Sequence, residues 1–164
     1  MIIRKAAAED LPVIRAIYER GRRFMAEHGN PTQWQDKFPA DEEVVQGVAY
    51  GTQYVCCEDG RIAATFFIDV FEDPTYAVIW DGAWIAKGPY GVVHRLAAAG
   101  TVKGAGRFCL QWAFAQCGHI RVDTHADNYV MQNLLDSLGY TRCGIIATHD
   151  GTDRIAYEKT EEQP

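Results

Sequence analysis

Apolar residues near the start of the chain recur at helical spacing. Leu11, Ile14, Ile17/Tyr18, Gly21 and Phe24/Met25 fall three and four positions apart, which predicts a helix with one buried stripe. A short strand over Ile2–Lys5 precedes it, and Glu9 and Asp10 place negative charge in its first turn, where the dipole favours acids. His28-Gly29-Asn30-Pro31 ends it. A loop with Trp34 and Phe38 follows, then a short helix through Val44, Val45 and Val48 that Asp41 is placed to cap. From Gly51 the pattern turns strand-like. Thr52–Cys57 and Ile62–Val70 form a hairpin about Glu58-Asp59-Gly60, and strands over Ala77–Ile85 and Val92–Ala98 continue the meander. A glycine-rich turn over residues 99–106 leads into a helix over Arg107–Gln116. Ile120–Thr124 is a strand, and Asn128–Leu138 a helix closed by Gly139. Tyr140–Thr148 and Arg154–Glu158 are strands joined through Asp150-Gly151, with a frayed polar tail from Lys159. The order β-α-α-β-β-β-β-α-β-α-β-β, without repeat or linker, predicts one α+β domain over residues 1–164. A mostly antiparallel mixed sheet should carry helices on both faces.

Composition narrows the function. At 164 residues, 48% hydrophobic and 23% charged, the chain can bury a sizeable core, and disorder is excluded. No apolar run approaches the roughly 20 residues of a membrane span, and the first residues lack a signal peptide's apolar stretch, so a cytoplasmic protein is expected. The net charge of −6, with no Lys/Arg cluster, argues against nucleic acid or a membrane surface as partner. The five cysteines, Cys56, Cys57, Cys109, Cys117 and Cys143, form no Cys-x-x-Cys pair and lie at no zinc-ligand spacing from a histidine. Buried free thiols and no metal are expected.

The glycine turn carries the most specific chemistry. Gly104 and Gly106 let the backbone approach an anion, and the helix that follows presents free N–H groups and a positive dipole end, with Lys103 and Arg107 adding charge. A plain tight turn into a helix would look similar. Gly100, Gly104 and Gly106 also satisfy a spacing used in some nicotinamide-binding folds. Here, however, the turn follows the antiparallel strands instead of the first strand of a doubly wound sheet. Gly-Lys-Ser/Thr is missing as well, so the turn is no nucleotide P-loop.

In element order and motifs the chain resembles the GNAT superfamily of acetyl-coenzyme A-dependent N-acetyltransferases over nearly its whole length. The motifs are His94-Arg95-Leu96-Ala97-Ala98 running into Thr101-Val102-Lys103-Gly104-Ala105-Gly106, the stretch Val122–Asn128, and Leu134-Leu135-Asp136-Ser137-Leu138-Gly139-Tyr140. The resemblance implies that backbone amides from Lys103 to Arg107 hold the coenzyme A pyrophosphate, with Thr101 beside them. It implies that the pantetheine arm enters a gap between the strand Leu96–Ala98 and the strand of Asp123, with Asn128 touching it from the far side. An amide near Ala97 would stabilise the oxyanion while an amine attacks the thioester directly. The fold often dimerises, so a homodimer is among the expected forms, and the acceptor is a small-molecule or peptide amine.

Two positions depart from the family pattern. Thr101 stands where Gln or Arg is usual, and Leu135 replaces a tyrosine that often protonates the departing thiolate. A non-catalytic acyl-coenzyme A-binding module of the same fold is therefore the alternative expectation. His94 and His125 are the candidate proton acceptors. Trp34, Trp80, Trp84, Asp81 and Asp123 are candidates for the acceptor pocket, and Tyr76, Glu72 and Asp73 lie in the same region.

Overall fold

The structure is a computed structural model and describes residues 1–161. Its strands are β1 (Ile2–Lys5), β2 (Gln53–Glu58), β3 (Arg61–Val70), β4 (Gly91–Ala98), β5 (His119–Thr124), β6 (Thr141–Ala147) and β7 (Asp153–Thr160). They form one sheet in the order β1-β2-β3-β4-β5-β7-β6. Only β4 and β5 run parallel, joined by the right length of chain for a helical crossover. The helices are α1 (Leu11–Glu27), α2 (Asp41–Tyr50), α3 (Ala105–Cys117) and α4 (Tyr129–Ser137).

Side-chain alternation sorts the core into layers. Cys56, Phe66, Val93, Ile120, Val122 and Ile155 point to one face, where α3 and α4 cover them. Val55, Cys57 and Ala97 point to the other and pack on Ile14, Ile17 and Tyr18 of α1. Beyond β4 that second face carries no α-helix among the described residues. Residues 71–90 cross it instead, laying Tyr76, Ile79, Trp84 and Tyr90 over Val92, Ile146 and Ala156. All five cysteines are free, and four are buried. No helix among the described residues is long and apolar enough to cross a membrane.

Several sequence-based expectations need correction. Ala77–Ile85 is not a strand: a 3-10 turn at Pro74–Tyr76 precedes it, and Trp80 makes one isolated bridge to Ile145. The strand-like run of large residues is interrupted where Asp81 and Gly82 take φ of 54° and 152°. A Cβ on Gly82 would lie 1.9 Å from the Cys143 carbonyl oxygen, so this crossing requires glycine. Asp41 does not cap α2. Ala40 is the N-cap, and the Asp41 carboxylate takes a two-pronged bond from Arg15 at 2.7 and 3.0 Å. Lys159 and Thr160 continue β7 opposite Ile120 and His119, and the Lys159 amine donates to the Leu138 carbonyl at 2.8 Å. The rest of the expected frayed tail, residues 162–164, lies outside the described residues.

The feature that positions the site is a break in β4. Arg95 has φ of 56°, and the β3–β4 register slips there between Thr65↔Ala97 and Phe67↔His94. Arg95 is held in this conformation from several sides. Its carbonyl accepts from the Tyr18 hydroxyl at 2.8 Å, its guanidinium donates to Gln53 at 3.1 Å, and Phe67 stacks 4.8 Å from it. β4 and β5 pair only at Gly91↔Ile120 and Val92↔Arg121, and beyond that they part.

Candidate active site

The parting strands open a cleft through the sheet. Val93 and Leu96 line one wall, Val122, Asp123 and Thr124 the other, and Met131 and Asn128 close the side toward α4, with Gln33 and Trp34 above. Its walls are mostly apolar. Thr124 is an exception, since its hydroxyl is buried and has no hydrogen-bond partner among the described residues. Of the bulged stretch, Leu96 lines the cleft half-buried, while Ala97 is buried and Ala98 half-buried outside the lining.

At the end of β4 the turn into α3 has an anion cradle's form. Among the described residues, nothing accepts from the amides of Lys103 and Gly104, which lead into the helix, or of Ala105 and Gly106, its first two residues. Gly104 is the N-cap at φ of 83°, and a Cβ built on it meets open space. Thr101 and Lys103 are exposed beside it. The Arg107 guanidinium instead donates to the Ser137 hydroxyl at 2.7 Å, so this side chain ties α3 to α4. The two glycines also differ. A Cβ on Gly106 would make only ordinary contact with Leu134 and Leu96, at 3.8 and 3.9 Å. We expect Gly104→Val to abolish coenzyme A binding in calorimetry and Gly106→Ala to weaken it by less than about tenfold. Wild-type affinity in a folded Gly104→Val variant would place the pyrophosphate elsewhere.

His94 lies where β4 leaves β5. Its Nε2 is 2.8 Å from Asp73 Oδ2, and its Nδ1 is 3.9 Å from Asp123 Oδ2. The Asp73 contact assigns the Nε2 proton, leaving the Nδ1 lone pair facing Asp123. Tyr76 donates to the same Asp123 oxygen at 2.6 Å, and Phe67 stacks on the imidazole. Asp73 is held by its own turn, accepting from the Thr75 amide at 2.9 Å and the Thr75 hydroxyl at 2.7 Å.

Burial pushes the Asp73 carboxyl up, but the hydrogen bonds from His94 and Thr75 outweigh it and hold it at about 2. An unfolded Asp titrates near 3.9, so the folded-state pKa is depressed. The resulting stability is fully present above about pH 4 and is lost as pH falls toward about 2. Asp73→Asn should therefore flatten the fall in urea midpoint across that window. An unchanged acid slope would show that the contact carries no such linkage.

His125 stands across the cleft, just past β5. The Asp127 amide donates to its Nδ1 at 3.0 Å, and Nε2 faces the Thr32 hydroxyl at 3.2 Å. Burial and the nearby Arg154 lower its pKa. Asn128 caps α4 by accepting from the Met131 amide at 3.1 Å, while its own amide donates to Gln33 at 3.0 Å. Gln33 thus joins the α1–α2 loop to the far wall, a role that no sequence signal marks.

Trp34 lines the cleft, buried against Tyr18 and Gly21. Trp80, Asp81 and Trp84 do not line it. Trp80 pairs with β6, and Asp81 is an exposed turn residue. Trp84 donates to the Tyr76 carbonyl at 2.9 Å and stacks 4.3 Å from the Arg121 guanidinium. Leu135, on the inner face of α4, is fully buried and does not line the cleft.

No protein-family model and no curated protein sequence matches the chain. Solved structures do. A GNAT-family acetyltransferase from Streptococcus agalactiae superposes with a TM-score of 0.89 at 28% identity, covering 99% of this chain and 96% of that one. A GNAT-family acetyltransferase from Listeria monocytogenes gives 0.69 at 20% identity, covering 96% and 93%. A ribosomal-protein-alanine N-acetyltransferase from Brucella melitensis gives 0.66 at 18% identity, covering 98% and 99%. The last two share the fold.

Proposed function

We propose, from the premise that this chain belongs to the GNAT superfamily of acetyltransferases, that it transfers an acetyl group from acetyl-coenzyme A to a primary amine by direct attack. The observation that carries this reading is His94, hydrogen-bonded to Asp73 through Nε2 with its Nδ1 3.9 Å from Asp123, on the bulged strand that borders the cleft. The residues present fit the donor: free amides of residues 103–106 for a pyrophosphate, open space over Gly104, and a narrow apolar cleft with the unpartnered Thr124 hydroxyl for a polar arm. When bound, acetyl-coenzyme A supplies the acyl group as a thioester.

The chain's own groups supply the rest. An amide of the bulged stretch Leu96–Ala98 donates to the developing oxyanion. His94 takes the proton of the incoming amine at Nδ1, and the imidazolium is stabilised by Asp73 on one side and Asp123 on the other. Burial pushes up the thiols of Cys56, Cys109, Cys117 and Cys143, which disfavours a cysteine nucleophile and supports direct transfer. A thiolate whose thiol has a pKa near 8.5 can depart near neutral pH without a dedicated acid.

Leu135, buried where the family often has its acid, favours a second reading: a module that binds acyl-coenzyme A without turnover. Thiol release from acetyl-coenzyme A across a panel of amines decides between the two. Amine-dependent release supports transfer, whereas tight coenzyme A binding with no release from any amine supports the module.

A further inference from the structure

We infer that the acceptor carries a carboxylate as well as its amine, and that Arg154 binds that carboxylate. The inference rests on the acetyl-transfer reading for the amine end and on a separate observation for the acid end.

Arg154 and Arg121 are both buried arginines, 7% and 8% exposed. Arg121 has its counter-ion, donating from Nε to Glu158 at 3.0 Å. Arg154 has none within ion-pairing distance among the described residues. Its Nη1 and Nη2 donate only to backbone carbonyls, of Asp153 and Gln33, each at 3.2 Å. Burying a cation without a partner is costly, and a guanidinium stays protonated at any working pH. Burial pulls the Arg154 pKa down, and the carboxylates of Asp123 and Asp150 offset this only from longer range.

Its place is on β7, beside two residues that line the cleft, Asp123 and Gln33. Antiparallel pairing sets Thr124 opposite Ile155 and Asp123 opposite Ala156. Ile155 packs into the α3 side, so alternation turns Arg154 to the face that also holds Asp123 and His94. Gln33, whose carbonyl Arg154 grips, lines the cleft itself. Three neighbouring strands thus present His94, Asp123 and Arg154 on one face near the point where β4 and β5 part.

The two ends of this face have opposite sign. His94 with Asp73 and Asp123 suits an ammonium that must lose a proton, while a guanidinium fork with uncommitted N–H groups suits a planar carboxylate. The net charge of −6 disfavours an anionic ligand at long range, so a local cation is what would admit one. The substrate class is an amino acid-like compound in which amine and acid lie on one short skeleton.

The test offers a series of ω-amino acids of increasing length, the matching ω-amino carboxamides and the matching alkylamines to coenzyme A-loaded wild-type, Arg154→Lys and Arg154→Met proteins. Binding is read by saturation-transfer NMR, and acetyl transfer from acetyl-coenzyme A by mass spectrometry. In the wild type, acids of the fitting length should surpass their amides by on the order of tenfold or more in kcat/KM. Arg154→Met should bring that ratio close to one, and Arg154→Lys should retain part of it. The ratio is independent of how much of a variant is folded, so loss of the Gln33 clamp alone would not move it. Transfer to amides and alkylamines as good as transfer to acids would overturn the carboxylate site while leaving acetyl transfer intact. Selective binding of acids with no transfer to any amine would support the site and refute the transfer. A ratio unchanged in Arg154→Met would also overturn it.

Discussion

His94→Gln is expected to lower kcat by about 10²-fold or more while coenzyme A affinity holds. An alkylamine with a pKa of about 10.4 is almost wholly protonated at neutral pH, so attack requires a proton acceptor near the thioester. His94 lies on the strand that borders the cleft, with Nε2 committed to Asp73 and Nδ1 in no hydrogen bond among the described residues. Glutamine keeps a donor for Asp73 but cannot accept the amine's proton, so the acidic limb of the pH–rate profile should vanish along with the rate. Asp73→Asn should lower kcat by a smaller factor, since the imidazole remains but loses the carboxylate that holds it. An acidic limb that persists in His94→Gln and disappears in His125→Gln would move the base across the cleft.

Glu158→Ala should cost about 3–5 kcal/mol of stability, read as a lower urea midpoint. The Glu158 carboxylate is fully buried and gathers three donors from two segments: His119 Nε2 at 2.5 Å and Arg121 Nε at 3.0 Å from β5, and the Ile85 amide from the crossing stretch. Burial pushes this carboxyl up, and the bonds from His119, Ile85 and Arg121 pull it down further, so its pKa is lowered on balance. Removing it strands two buried donors and frees the crossing segment at Ile85. Arg121 also donates to the Ala86 carbonyl at 2.7 Å and stacks on Trp84 and Tyr90, so the segment's whole return path hangs on this cluster. A loss below about 1 kcal/mol would show that the network merely fills space.

These two sites show how far the chain could be read without coordinates. The stripe from Leu11 to Phe24 and the alternation in β2, β3 and β7 are local patterns, and the helices and strands they predict are found within a few residues. The glycine turn was legible for the same reason, because a backbone that needs φ above zero selects glycine. The bulge in β4 was not. Its positive-φ residue is Arg95, held there by Tyr18, Gln53 and Phe67, and nothing in a side chain's type signals that support. His94 could be singled out from its strand. That it meets Asp73 depends on residues 71–90 folding under the sheet, a path misread as a strand because Trp80, Trp84 and Ile85 look like one. Arg154 and Gln33 carry no local sequence signal, because their meaning lies in what they lack and whom they join across the fold.

The segment of residues 71–90 has a second employment. β6 is the last strand of the sheet, and Trp80 exchanges two backbone hydrogen bonds with Ile145 there, at 3.0 and 2.9 Å. An unguarded outer strand invites pairing with other chains and hence aggregation. The stretch that carries Asp73 at one end therefore shields a sticky margin at the other. On the proposed acetyl-transfer reading, the carboxylate behind His94 and the guard of β6 are thereby tethered to a single piece of backbone. Insertions or deletions that retune the amine end also shift the shield, and descendants that explore new substrates through this stretch must keep Trp80 in place or find another guard. Diversity of acceptor should accumulate more freely on the α1–α2 loop, which borders the same cleft and guards no edge.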